Sequence, residues 1–170
     1  MIMIFGPAGA GKSTQAGLLA EALGRTAMSV GQICREEFHE YTKTAAMVPV
    51  PELVKAIMRR VEKIGVDKVV LDGQPWEVSD VPAMKEAGMI DAIEIAVILD
   101  VPREECLKRL SQRGREDDNL ANWNKKLDMY EQKIYTFLEA TGVKTVHVDG
   151  SGTISEVGNL VKSALRDQIQ

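Results

Sequence analysis

Only two cysteines occur in this sequence, Cys34 and Cys106, far apart and with no CxxC pair. That spacing argues against a disulfide framework and against a cysteine-rich zinc site. The two histidines, His39 and His147, each lack a second ligand at metal-binding spacing, and His147 lies in an apolar run where a structural role fits better. No apolar stretch approaches the length of a membrane span, and the opening "MIMIF" is too short and too uncharged at its start for a secretory signal. Positive charge is not in excess: 21 Lys and Arg against 25 Asp and Glu give a net charge of -4. Broad attraction to nucleic acid or to a membrane surface is therefore not expected. There is no low-complexity run, internal repeat or Pro/Ser-rich linker. The 170 residues can bury one full core and are too few for two comfortable domains, so a single domain over 1–170, working as a monomer, is expected.

The chain does contain a regular alternation of two patterns. Short, continuously apolar runs at 1–5, 68–72, 93–100 and 143–148, with a weaker one at 26–30, fit strands buried on both faces. Between them, helical periodicity predicts helices over 12–23, 32–41, 51–64, 81–87, 103–112, 120–140 and 154–169. Gly24, Gly65, Gly88 and Gly142 fall where helices would stop, and Pro102 falls where one would start. This order predicts an α/β three-layer sandwich on a five-stranded parallel sheet, with its ligand site beyond the carboxyl ends of the strands.

The segment "GPAGAGKST", Gly6 to Thr14, fits G-x-x-x-x-G-K-[ST] and stands between a predicted strand and a predicted helix. In that context the backbone N–H groups around Gly9, Ala10 and Gly11, with those of Ser13 and Thr14 at the helix start, wrap phosphate oxygens. Lys12 would reach the β- and γ-phosphates, and the Ser13 hydroxyl would ligate Mg²⁺. A glycine-rich turn carrying a lysine by chance is the plain alternative. The motif begins at Gly6 and leaves no room for a presequence, so a reducing cytoplasm is the expected setting. Asp72 ends another predicted strand at the same sheet edge, where its carboxylate would hold the metal through water. On its own stretch, a turn or capping aspartate is the competing explanation.

Taken in order, five segments make the chain similar to the adenylate kinase family of nucleoside monophosphate kinases over nearly its whole length. The family's "GPPGAGKGTQ" is matched by "GPAGAGKSTQ", "STGDMLR" by "SVGQICR", and "LDGFPRT" by "LDGQPWE". The arginine-rich lid is matched by "GREDDNLANWNKKLDMY", and the terminal turn by "VDGSGTISEV". The resemblance implies a P-loop kinase using Mg²⁺ and ATP, with a short lid near 112–120 and a reduced acceptor-binding insert near 30–60. It implies that Arg109 and Arg113 contact the ATP base and phosphates, that Arg115 reaches the transferring group, and that Lys126 stands where the family has arginine. It also implies that the Gly150–Gly152 turn borders the adenine. Independently of the family, a transferring phosphoryl group spreads negative charge over three oxygens, so clustered cations suit it. Asp117 and Asp118 would orient those arginines; a solvated charged helix face is the alternative for the cations, and a helix start for the two acids.

The acceptor side departs from the family. Trp76 replaces an arginine that grips the acceptor phosphate, Val30 replaces a threonine, and Asp80 aligns with a glutamine that reads adenine. Arg35, the apolar wall at Val48, and Gly73 remain as acceptor-side candidates. Either Arg35, His39, Lys43 or Arg59 substitutes for the missing charge while Trp76 stacks on a base, or the acceptor is not an ordinary monophosphate. Trp76 as core filler is the bland alternative. The expected activity is transfer of the γ-phosphoryl of Mg-ATP to a nucleoside monophosphate, AMP first. A nucleotide-sensing module and a kinase for a small hydroxyl metabolite are the rivals.

Overall fold

The computed structural model describes residues 1–43, 48–73, 77–114, 119–166 and 168, with 42 and 43 described by backbone alone. Five strands form one parallel sheet in the order β2-β3-β1-β4-β5. They are β1 (Ile2–Phe5), β2 (Thr26–Ser29), β3 (Val69–Asp72), β4 (Ile95–Asp100) and β5 (Thr145–Asp149). The helices are α1 (Lys12–Leu23), α2 (Val30–Glu37), α3 (His39–Lys43), α4 (Val50–Ile64), α5 (Val81–Glu86), α6 (Arg103–Ser111), α7 (Leu120–Thr141) and α8 (Ile154–Arg166).

The apolar runs divide by strand parity. Ile2 and Ile4 of β1, with Val70, Ile95, Val97 and Leu99, pack on Ala16, Leu19 and Ala20 of α1 and on Val157, Val161 and Leu165 of α8. Met3 and Phe5, with Val69, Leu71, Ala96 and Ile98, face the opposite layer of Ile33, Leu53, Ile57, Met84, Ile134 and Phe137. Alternate side chains point to opposite faces of a strand, so a run with no polar member is what a sheet covered on both sides requires. Phe5 and Phe137 meet edge to face, with centroids 5.8 Å apart at 72°, and this joins the central strand to α7.

The central strand β1 lies between β3, reached by one direction of winding, and β4, reached by the other. A crevice opens at such a reversal beyond the carboxyl ends of the strands. The register sets Ile4 opposite Asp72, and Asp72 opposite Ser29, so the ends of β1, β2 and β3 share one rim.

The largest departures from the periodicity are in two helices. The predicted helix over 32–41 is two helices, because Phe38 leaves helical geometry at φ -129° and ψ 36°. Its ring packs against the core and edge-on to Tyr41, at 6.5 Å between centroids, so tertiary burial overrides helical continuity. At the other end α8 stops at Arg166, whereas the periodicity ran to 169, a position outside the described residues.

Candidate active site

The loop after β1 is tight because three backbones converge there. Gly9 has φ +86°, and a Cβ at that position would lie 2.6 Å from the Cys106 carbonyl oxygen on α6. Only glycine permits that approach together with that φ. Lys12 opens α1 and folds its Nζ over the loop, donating to the carbonyls of Gly6 at 2.9 Å and Pro7 at 2.8 Å. The loop amides and the α1 N-terminus therefore face one cleft of about 1110 Å³.

That cleft gathers most of the sequence-predicted residues. Gly9, Ala10, Gly11, Lys12, Ser13 and Thr14 line it from the loop, and Asp72 and Gly73 line it from the end of β3. Arg109 and Arg113 enter from the end of α6, Lys126 from α7, Gly152 from the terminal turn and Arg35 from α2. Arg109 is held on both sides. Its Nε donates to Glu105 Oε1 at 2.8 Å, and its Nη2 donates to the carbonyls of Ser151 at 3.0 Å and Gly152 at 3.4 Å. The Glu105 carboxyl sits below its ordinary range chiefly because of this hydrogen bond.

Asp72 is buried and accepts from the Ser29 hydroxyl at 3.2 Å through Oδ1. Its second oxygen has no protein partner among the described residues, and Ser13 faces the same space. One carboxylate, one hydroxyl and several waters suit Mg²⁺, which seldom takes an all-protein cage. Among the described residues no three His, Cys, Asp or Glu side chains converge. The residues present thus fit a magnesium ion carried in with a nucleotide.

A family model described as an AAA domain matches residues 5–124. An adenylate kinase of Thermus thermophilus is 31% identical over 185 aligned positions that cover 96% of this chain and 96% of that protein. The chain belongs to the adenylate kinase family. Adenylate kinases of Prochlorococcus marinus and Parabacteroides distasonis are each 29% identical, covering 96% and 98% of the chain and 97% of either protein. By family the chain is a P-loop, nucleotide-binding phosphotransferase of the adenylate kinase kind. No helix among its described residues is long and apolar enough to cross a membrane.

On the acceptor side, the structure departs from what alignment with adenylate kinases predicts. Asp80 does not line the cleft. It is buried, and its Oδ2 accepts the backbone N–H of Glu77 at 2.9 Å while the Glu77 side chain accepts that of Asp80, a reciprocal cap. That oxygen is taken up by the cap, away from the cleft. Val48 is likewise buried in the core cluster and is not part of the cleft lining. Of the proposed substitute cations, Arg59 is ion-paired to Glu37 on α2, and His39 Nε2 lies 2.8 Å from Glu40 Oε1. The Lys43 side chain, Trp76, Arg115, Asp117 and Asp118 lie outside the described residues. Of the substitutes with described side chains, Arg35 alone lines the cleft, and no described carboxylate pairs with it.

Among the cleft residues that escaped the sequence reading, two shape its geometry. Ser29, which orients Asp72, is the serine of "SVGQ" and was legible only as part of that matched segment. Gln15, next to the loop motif, is buried; its Nε2 donates to the Ile154 carbonyl at 3.0 Å, and its Oε1 has no partner among the described residues. It ties the first turn of α1 to the start of α8, which holds the terminal turn beside the loop. No residue-type rule singles out a glutamine for that task.

Proposed function

We propose that this chain transfers the γ-phosphoryl group of Mg-ATP to a nucleoside monophosphate, with AMP the first acceptor to test. The observation that carries the reading is the single cleft with cations at both ends: Lys12, Arg109, Arg113 and Lys126 around the loop, and Arg35 on α2. The polyphosphate would lie on the loop amides, and Lys12 would exchange the two loop carbonyls for phosphate oxygens. Arg109, fixed by Glu105 and the terminal turn, would border the base. Ser13 and Asp72 would hold the magnesium ion, which supplies charge neutralisation across the phosphates. A phosphate acceptor is already largely ionised, so no general base is needed. Asp72 is engaged by Ser29 and would hold metal, and Glu105 is engaged by Arg109 and Lys108, so among the described residues no cleft carboxylate is free to serve an alcohol acceptor, which ranks a metabolite kinase last.

In this reading the chain is one domain over 1–170, with an acceptor-binding insert near 30–60 and a short lid near 112–120 that carries Arg115. Trp76 and Gly73 would contact the acceptor. The test is a panel of nucleoside monophosphates assayed for diphosphate formation with Mg-ATP, with Lys12→Ala as control. No turnover above that control with any member would remove the proposal.

A nucleotide-sensing module is the second reading, favoured by one observation: Asp80 is committed to a cap and does not read a base. It requires saturable Mg-ATP binding with no acceptor turnover, so a clear diphosphate product excludes it.

A further inference from the structure

We propose that Gln15 is a positioning residue for the donor base, acting through the carbonyl of Ile154; the inference rests on the donor half of the kinase reading above. The turn 150–153 between β5 and α8, which in that reading borders the base, lines the cleft together with Ile154 and Gln15. Several of its bonds are local. The Ser151 N–H donates to Asp149 Oδ1 at 2.9 Å, and the Thr153 N–H donates to Glu156 Oε2 at 2.8 Å. Such bonds shape the turn without fixing where it stands relative to the phosphate loop. That is set by bonds from distant parts of the chain. At the start of the turn the Gly150 N–H donates to the Asp100 carbonyl at the end of β4, at 2.8 Å. At its far end Gln15 Nε2 donates to the Ile154 carbonyl at 3.0 Å, across 139 positions of sequence. Arg109 reaches the Ser151 and Gly152 carbonyls between them, but in the kinase reading it touches the nucleotide itself.

Gln15 belongs to the phosphate loop as well. Its backbone N–H closes the first turn of α1 on the Gly11 carbonyl at 3.0 Å. One residue thus connects the amides that would wrap phosphate to the segment that would border the base. The side chain is 4% exposed, and its Oε1 has no partner among the described residues. That oxygen is turned toward Gly158 of α8, where an added Cβ would lie 3.3 Å from it. A buried oxygen without a partner lowers stability. The Ile154 carbonyl gains little in return, because a carbonyl in the first turn of a helix is already met by the amide four residues on. For stability alone, an apolar side chain of the same length would serve better at this position. A buried polar group kept at a cost to the fold calls for a functional reason, and setting the turn against the loop supplies one.

The experiment is calorimetric titration of the full chain with Mg-ATP and, separately, with magnesium tripolyphosphate, which carries the phosphates and no base. Wild type and Gln15→Met are compared, with thermal unfolding of each free protein. Methionine keeps the length of the side chain and removes the amide. Loss of one hydrogen bond that places the turn should raise the Kd for Mg-ATP about threefold to tenfold. The Kd for tripolyphosphate should stay within about twofold of wild type, and Tm should be equal or higher, since the unpaired oxygen is gone. Unchanged affinity for both ligands overturns the inference and leaves the kinase reading standing. Equal losses for both overturn it as well, because the residue then serves the loop and not the base. A fall in Tm, or failure of the variant to fold, assigns Gln15 to stability and overturns it too. Absence of Mg-ATP binding in the wild type removes the donor reading, and the positioning role with it. The titrations contain no acceptor, so failure of every monophosphate in the panel would remove the transfer reading and leave this result unaffected.

Discussion

Replacing Gly9 by alanine tests whether the phosphate loop is shaped by its contact with α6. Two costs apply at this position and can be separated. The backbone is at φ +86°, which an L side chain adopts at a cost of about 1–2 kcal/mol. The added Cβ would also lie 2.6 Å from the Cys106 carbonyl oxygen and 3.0 Å from Leu110 Cγ, a steric conflict that typically costs about 1–3 kcal/mol. A backbone carbonyl inside a helix cannot swing aside as a side-chain tip can, so the loop or α6 must move. The sum is about 2–5 kcal/mol, and at roughly 2–4 °C per kcal/mol for a chain of this size Tm should fall by at least about 4 °C. Gly11 supplies the control. It has nearly the same φ, +88°, but nothing lies within 4 Å of an added Cβ, so Gly11→Ala should bear only the backbone cost. Urea unfolding of both variants, read by circular dichroism, should place Gly9→Ala below Gly11→Ala by about 1–3 kcal/mol. Equal destabilisation of the two would refute the contact with α6 as the cause.

Three further outcomes follow from the same coordinates. Cys106 is fully buried and burial pushes its thiol up to about 11, whereas Cys34 is only partly covered and lines the cleft. A maleimide at neutral pH should label Cys34 and leave Cys106 unmodified until the protein is unfolded, as intact mass would show. Hydrogen bonds from the backbone amides of Ser151 and Thr153 hold the Asp149 and Glu156 carboxyls below their ordinary values of 3.8 and 4.5. Because the folded values are depressed, their stabilisation is complete above those ordinary values and is lost as pH falls through the lowered ones. Tm should therefore drop progressively below about pH 4.5, and the double variant D149N/E156Q should show a shallower drop. Phe137→Ala removes the ring that packs edge-on to Phe5 at the centre of the sheet, and should cost about 3–5 kcal/mol in chemical unfolding.

The donor half of the cleft was legible in the sequence because its chemistry is carried by the backbone. Amides that wrap phosphate demand glycine at fixed spacing between a strand and a helix, and both neighbours declared themselves through apolar periodicity. The bounds of α1 fell where Gly24, in the left-handed region, stops it. The acceptor half was legible only as a set of aligned positions, and alignment does not say what a side chain touches. Asp80 occupies the place of a base-reading glutamine, yet its carboxylate is captured three residues away by the Glu77 amide. Arg59 had the right charge to replace a missing arginine, but α2 and α4 pack so that Glu37 takes it, and Arg60 with it. The break at Phe38 was hidden for the same reason, since burial of one ring decided it.

These captures change the electrostatics of the cleft in a consistent direction. Around the phosphate-loop end, five cations, Lys12, Lys108, Arg109, Arg113 and Lys126, line the cleft. At the acceptor end Glu36 and Glu37 draw off Arg59 and Arg60, leaving Arg35 as the described cation that faces the cleft from α2. An anion entering the cleft therefore meets its steepest attraction at the loop, which favours the more highly charged nucleotide there. In the proposed reaction charge is scarcer at the Arg35 end of the cleft, so the acceptor would be ordered by shape more than by charge. Positioning carries more weight when charge is scarce, because a misplaced acceptor loses rate steeply with distance from the reacting phosphoryl group.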